Sequence, residues 1–275
     1  MNTILRRIYI KIYYILFEKK DGRSSESDNG IYIKRVNKFL NNDKSFENFK
    51  RDPLYSTILE HLSKGQGSEY LDWIKKFDPT LYKNLHEKKI TNDLVGNPIK
   101  YSFNGIKASP NTLRYIKIAS EIKLLFGDDI GNHIIEIGGG YGGQLVQIDS
   151  SFKLKSYTIC DLESVNKLIE KYVEKVKIKC ELKTRTLNDI ENKVFDFLIS
   201  NYAFSELEKE IQLKYLQIIK KSKRGYMIMN SGDGGVYDYK ERLTKKYLLS
   251  QIPNSKVINE SPCSYNKNYV IIWGL

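Results

Sequence analysis

At 275 residues the chain can bury one large domain, or one medium domain plus a smaller appendage, and the second arrangement is expected. Its 41% hydrophobic, 12% aromatic and 28% charged residues exclude a disordered or membrane-spanning polypeptide. Cys160, Cys180 and Cys263 are isolated, without CxxC spacing, which excludes a disulfide framework or zinc knuckle and fits a reducing, cytoplasmic compartment.

The formal net charge of +12 could serve a nucleic-acid, membrane or anionic partner. Lysine is spread along the whole chain beside many Ile, Asn and Tyr, however, with no Arg-rich tract, so compositional drift accounts for the charge and nucleic acid is not expected as a partner.

The apolar segment Ile4 to Phe17 carries Arg6, Arg7 and Lys11, is too short to span a bilayer and lacks a small-residue cleavage site. Two readings stay open. Ile8, Ile12, Ile15 and Leu16 can form one face of a helix lying at the inner membrane surface, or the same face can pack on the protein's own body. A polar linker, Lys19 to Gly30, follows.

From Ile31 to Glu87 apolar residues recur at helical spacing, as in Leu54, Ile58, Leu62 and then Tyr70, Trp73, Ile74, Phe77, with breaks at Gly65-Gln-Gly67 and Asp78-Pro79. This is expected to be a small helical domain. The stretch Thr91 to Lys100 reads as a connecting loop. Ser109 as N-cap and Pro110 at the first position then open a helix through Leu113, Ile116, Ala119 and Ile122 toward Phe126, ended by Gly127. The expected division is residues 1–108 as an N-terminal helical or cap region and 109–275 as a second domain.

Seven apolar runs alternate with amphipathic helices after that: His133–Ile137, Ser156–Cys160, Val176–Leu182, Val194–Ser200, Gly225–Met229, Lys256–Asn259 and Asn268–Trp273. Helices fit between the first five, as in a parallel α/β sheet. The short gap before the last run permits only an antiparallel return.

The most informative segment, Ile134 to Gln144, is a strand running into a glycine-rich turn and a helix, with E-x-G-x-G-x-G at Glu136, Gly138, Gly140 and Gly142. Glycine is expected there so that a cofactor can lie against the backbone of Gly138, Gly139, Gly140, Tyr141 and Gly142 and so that positive φ is tolerated. About twenty residues on, Asp161 ends the second strand beside that turn, where ligands bind in open α/β sheets and where a carboxylate can accept both ribose hydroxyls of an adenosine. The helix after Gly143 turns its positive end toward the site and favours a carboxylate.

Gly138, Gly140 and Gly143 also satisfy the dinucleotide pattern G-x-G-x-x-G, so a nicotinamide cofactor is the rival. Glu136 at the end of the first strand, the Phe195–Ser205 segment and the closing strand to Trp273 favour S-adenosyl-L-methionine.

Glu136–Gln144, Ser200–Leu207, Gly225-Tyr-Met, Asp93–Pro98 and Leu113-Arg-Tyr115 together resemble the sugar O-methyltransferase family of surface-polysaccharide gene clusters, over about residue 85 to the C-terminus. The resemblance implies a Rossmann-like seven-stranded methyltransferase sheet with an antiparallel last strand, an adenosylmethionine donor and a sugar or glycan acceptor on a nucleotide- or lipid-linked saccharide. By position it places Glu136 and the glycines around the methionine end, Asp161 and Leu162 at the ribose, Asn188 or Asp189 at the adenine, and Asn201 and Tyr202 beneath the sulfonium.

Methyl transfer is an in-line displacement, to which alignment can contribute roughly 7–11 kcal/mol. A neutral sugar hydroxyl is a poor nucleophile, and a placed base contributes about 10²- to 10⁴-fold. Glu206 after the fourth strand and Asp233 after the fifth project from the cofactor edge, and His86 is the best placed of three histidines; His61 and His133 are the others, with His133 at the opposite edge. Glu206 also has a structural reading, a capping box over Ser205–Glu208. A divalent metal is used by some related sugar methyltransferases, but no carboxylate cluster is clear in the sequence and the metal stays undecided. Arg114 is a contact for the cofactor carboxylate or an acceptor phosphate, or a surface ion pair. Methylation of RNA or another polymer, and a non-catalytic adenosyl-binding role, remain as alternatives.

Overall fold

The computed structural model describes residues 30–87, 90–190, 193–231, 242–264 and 267–275. Ile4 to Phe17 and Asp233 lie outside the described residues.

The N-terminal helices are α1 (Ile31–Asn41), α2 (Asp43–Glu47), α3 (Pro53–Ile58), α4 (Lys64–Phe77) and α5 (Pro79–Glu87). Three of these starts have a side-chain cap. Asn42 accepts from Ser45 N, Asp52 accepts from Leu54 N and Tyr55 N ahead of Pro53, and Ser63 and Gln66 form a reciprocal capping box. A two-stranded hairpin, β1 (Tyr101–Phe103) and β2 (Ile106–Ala108), turns on Asn104 and Gly105, both with positive φ. The sequence reading assigned no strand there, although Asn-Gly between short apolar runs is a strong hairpin signal.

Helix α6 (Pro110–Phe126) begins at Pro110 and stops at Gly127, whose φ is 83°. Its N-cap differs from the expectation in one respect. The Ser109 side chain donates to Glu60 Oε2, while Asp93 serves the helix start, accepting from Ser109 N at 2.7 Å and from the Thr112 hydroxyl at 2.6 Å. A carboxylate held near a helix N-terminus is favoured by the dipole, which gives the Asp93–Pro98 stretch a structural task.

The remaining chain alternates β3 (His133–Ile137), α7 (Gly143–Ser151), β4 (Ser156–Cys160), α8 (Glu163–Val176), β5 (Glu181–Arg185), β6 (Phe197–Asn201), α9 (Ala203–Glu206), α10 (Lys209–Lys221), β7 (Arg224–Met229), α11 (Lys245–Gln251), β8 (Lys256–Asn259) and β9 (Tyr269–Trp273). The sheet order is β5-β4-β3-β6-β7-β9-β8; the first five strands are parallel, and β9 inserts antiparallel between β7 and β8. This is the expected doubly wound sheet with an antiparallel last strand. The third strand is shifted from Val176–Leu182 to Glu181–Arg185, because Val176 is the last buried position of α8's apolar stripe and an edge strand needs no apolar run.

Alternation along each strand sends side chains to two cores. Ile134, Tyr157, Ile159, Phe197, Ile199 and Tyr226 face one layer; Ile135, Ile137, Leu198, Met227 and Ile271 face α10 and α11 on the other. The first layer continues across the 108/109 division into Tyr32, Phe39, Phe49 and Tyr55 of the N-terminal helices. Helix α6 is buried on nearly every side through Ile122, since it also meets Tyr70, Ile74 and Phe103. The helical region thus sits against the carboxyl edge of the sheet, through Leu59 beside the glycine turn.

Candidate functional site

Strand β3 delivers the chain to Gly138, whose N–H donates to the Cys160 carbonyl at 3.0 Å, and the turn closes with Gly142 N–H on the Gly139 carbonyl at 2.8 Å. Gly138, Gly140 and Gly142 have φ of 75°, 59° and 89°, so the left-handed conformations expected of this motif are present. The source of the steric demand differs from the expectation. A Cβ on Gly138 would lie 2.1 Å from Ala203 Cβ, and one on Gly139 would lie 2.5 Å from Ile159. At Gly140 and Gly142 the space is looser, with Leu59 and Ile169 respectively at 3.3 Å. Protein packing therefore accounts for the first two glycines, and ligand contact is left to the Gly140 end.

Asp161 faces that turn. One of its oxygens accepts from Gly140 N–H at 3.2 Å and the other from Leu162 N–H at 2.8 Å. Leu162 packs its side chain against the core and offers only backbone. Asn188 and Asp189 lie exposed on a short 3-10 turn after β5, with Asp189 accepting from the Thr186 hydroxyl.

Two residues expected at the cofactor are turned inward. Tyr141 is fully buried, donates to Glu60 Oε1 at 2.9 Å and stands edge-on to Phe49, Tyr115 and Tyr172, so only its backbone can face the turn. Glu136 is 2% exposed and accepts from the Tyr157 hydroxyl at 2.9 Å. Burial pushes its carboxyl up to about 8, only partly opposed by Tyr157, and the neighbouring Asp161 charge adds to the rise.

The other wall begins at the end of β6. Tyr202 has φ 68° and ψ −35°, an unfavourable backbone for an aromatic residue. Its hydroxyl donates to Glu260 and lies 3.0 Å from Ser264 Oγ; Glu260 also accepts from Ser264 N–H. Asn201 donates from Nδ2 to Gln144 Oε1 at 3.1 Å. The Arg114 guanidinium stands 5.3 Å from the Tyr202 ring and 5.6 Å from that of Tyr115, and it is buried, which rules out the surface ion pair.

Glu206 ends α9 and accepts from Asn230 Nδ2 at 2.9 Å. Burial raises its carboxyl above the usual range, while the Asn230 bond and the Arg242 and Arg114 charges oppose the rise. The expected capping box is absent: Ser205 donates to the Tyr202 carbonyl and accepts from Asn230 N–H, and α10 starts at Lys209 with no side-chain cap. His86 is not brought to this wall. Its exposed ring meets Tyr82 edge-on and lies beside Gly105 of the hairpin. His133 bonds Ser156 Oγ at the opposite edge.

Glu260, Tyr70 and Leu59 are site neighbours that sequence reading missed. No local pattern marks them, because each reaches the site by long-range packing. Among the described residues no group of three or more His, Cys, Asp or Glu side chains could hold a metal ion.

No family model matches the sequence, and no curated protein matches it. Among solved structures the chain is similar to the methyltransferase domain of bacterial CtHen1, at 11% identity over 59% of this chain and 97% of that one, with a TM-score of 0.43. It is similar to the N-terminal domain of EvdMO1 with S-adenosylhomocysteine bound, at 14% identity over 63% and 88%, TM-score 0.42. A methyltransferase from Aquifex aeolicus, dependent on S-adenosylmethionine, is similar at 18% identity over 56% and 87%, TM-score 0.42.

Proposed function

We propose that the chain is an S-adenosylmethionine-dependent methyltransferase acting on a sugar hydroxyl of a nucleotide- or lipid-linked saccharide in surface-polysaccharide biosynthesis. The observation that carries the cofactor reading is Asp161 facing the glycine turn at the carboxyl edge of a parallel sheet closed by an inserted antiparallel strand. The sugar acceptor rests on the resemblance of the motifs around Glu136, Ser200 and Asp93.

Bound adenosylmethionine would supply a methyl group on a sulfonium. Asp161 would hold the ribose hydroxyls, and the backbone at Gly140 would lie along the cofactor. Glu206 is the base we assign. Its carboxylate at the rim, held by Asn230, can take the acceptor hydroxyl proton, and its raised pKa makes it a stronger base than an exposed glutamate. No helix among the described residues is long and apolar enough to cross a membrane. Contact of residues 4–17 with the inner membrane face, where lipid-linked acceptors reside, and a cytoplasmic location are parts of this proposal.

The test is transfer of labelled methyl from adenosylmethionine to a panel of nucleotide sugars and lipid-linked saccharides, with RNA as the control acceptor. Labelled saccharide supports the reading. Label in RNA alone would replace the acceptor.

A further inference from the structure

Lys50 is a buried cation that the proposed chemistry does not use. It lies on the short 3-10 turn Phe49–Arg51 of the N-terminal region, is 1% exposed, and none of the ion pairs among the described residues involves it. An ammonium cut off from water is costly unless other groups replace its hydration. Here Nζ donates to the Asn92 carbonyl and stands 4.3 Å from the ring centre of Tyr141, 4.9 Å from that of Tyr172 and 5.6 Å from that of Phe49. Aromatic faces attract a cation, and more strongly where water is excluded.

Two of these contacts lead to the glycine turn. Tyr141 stands between Gly140 and Gly142, both left-handed, so its ring and the turn backbone are placed together. The ring faces the Lys50 cation while the hydroxyl donates to Glu60. Asn92, whose carbonyl receives Lys50, donates from Nδ2 to the Gly143 carbonyl at 2.8 Å, where α7 begins, and accepts from Gln147 Nε2 of the same helix at 2.8 Å. The backbone N–H of Lys50 is itself fixed on the Gly96 carbonyl at 3.0 Å. One ammonium group thus grips the turn at its middle and at its end.

We propose that Lys50 is a positioning residue for the glycine turn, whose ammonium, acting through Tyr141 and Asn92, holds the turn in the shape that binds the cofactor. The inference rests on the adenosylmethionine reading for its ligand and extends control of the site to the N-terminal helical region. Without the charge the attraction to the rings is lost and the bond to Asn92 weakens. The turn is then released to other shapes, and apparent affinity drops by the fraction that stays competent.

Raising the pH removes the charge. Burial lowers the ammonium to about 8, against the opposing charges of Glu60 and Asp93 and with the help of Lys100. Tyr141 and Tyr172 of α8 also face it, and Tyr115 of α6 stands edge-on to Tyr141. Burial raises all three tyrosines, and it raises Glu60 and Asp93 as well. Because the folded value lies below the 10.5 of a free lysine, the unfolded chain binds this proton more tightly, and the group adds stability as pH rises from about 8 to 10.5. Cofactor affinity should fall over the same region. A lysine that served only to fold the chain would give the stability change without the affinity change.

The test is calorimetry of the full chain with S-adenosylhomocysteine between about pH 7 and about pH 9.5, on wild type, Lys50→Met and Lys50→Arg. Amide NMR of residues 138–143 is followed over the same range without ligand. Lys50→Met should bind roughly fivefold or more weakly than wild type at pH 7, and wild type should lose roughly fivefold more affinity than either variant on the way to pH 9.5. Lys50→Arg keeps its charge throughout and stands in where Lys50→Met fails to fold. The turn amides of wild type should show a titration step that is missing from Lys50→Arg. Equal pH dependence in wild type and variants, or a Lys50→Met affinity equal to that of wild type at pH 7, would overturn the assignment and leave the cofactor reading intact. Wild type binding no adenosylhomocysteine at any pH would overturn the cofactor reading, and the amide titration then decides alone: turn amides with the same steps in wild type and Lys50→Arg overturn the role of Lys50.

Discussion

Replacing Glu136 by glutamine should change how stability depends on pH. Burial pushes the carboxyl up to about 8 in the folded chain, against 4.5 for a free glutamate, with the Asp161 charge adding to the rise and the Tyr157 hydroxyl opposing it in part around this 2%-exposed group. The folded state therefore binds the proton more tightly than the unfolded state, and stability falls as pH rises from about 4.5 to about 8, then levels. At about 1.4 kcal/mol per pH unit the full effect approaches 5 kcal/mol as an upper bound. Glutamine keeps the shape and can still accept from Tyr157, but it does not ionise. Urea unfolding of wild type and Glu136→Gln at pH 5, 6, 7 and 8 isolates the term as the difference between the two profiles. The variant should gain on the wild type steadily across this range, by several kcal/mol at pH 8. Parallel profiles would refute the argument that this carboxyl is buried without sufficient compensation.

Asp161→Ala should weaken adenosylhomocysteine at least tenfold in calorimetry, since charge-assisted bonds to the ribose are lost; unchanged affinity would move the ribose elsewhere. Glu206→Gln should lower methyl transfer by about 10²- to 10⁴-fold with cofactor affinity preserved. Because the Glu206 carboxyl is raised, wild-type rates should climb with pH through a value above the ordinary glutamate range, and a flat profile would count against it as base. Gly138→Ala should destabilise the apo-protein by about 3 kcal/mol or more, measured by denaturant unfolding, because its Cβ would meet Ala203 at 2.1 Å on a positive-φ backbone. Full stability with lost cofactor affinity would return that glycine to the ligand.

The sheet was legible where a strand carries its own apolar run. Strands β3, β4 and β8 match their apolar runs to the residue, and the glycine turn with Asp161 was found because a positive-φ turn and a strand-tip acid are both local signals. Strand β5 was misplaced because an edge strand needs no apolar run. The roles of Glu60, which receives Tyr141, and of Asn92, which donates to the Gly143 carbonyl at 2.8 Å, could not be read, since they join positions 51 to 81 residues apart. The same holds for Glu260, seated by an irregular loop beneath Tyr202. Ser205–Glu208 had the composition of a capping box, yet Ser205 Oγ accepts from Asn230 N–H and donates to the Tyr202 carbonyl instead.

The proposed function requires a turn that holds an adenosyl sulfonium rather than a dinucleotide. Calorimetric titration of the full chain with S-adenosylhomocysteine, beside NAD under the same conditions, tests it most directly. Binding of adenosylhomocysteine with NAD silent is the predicted result; NAD binding with adenosylhomocysteine silent would contradict it.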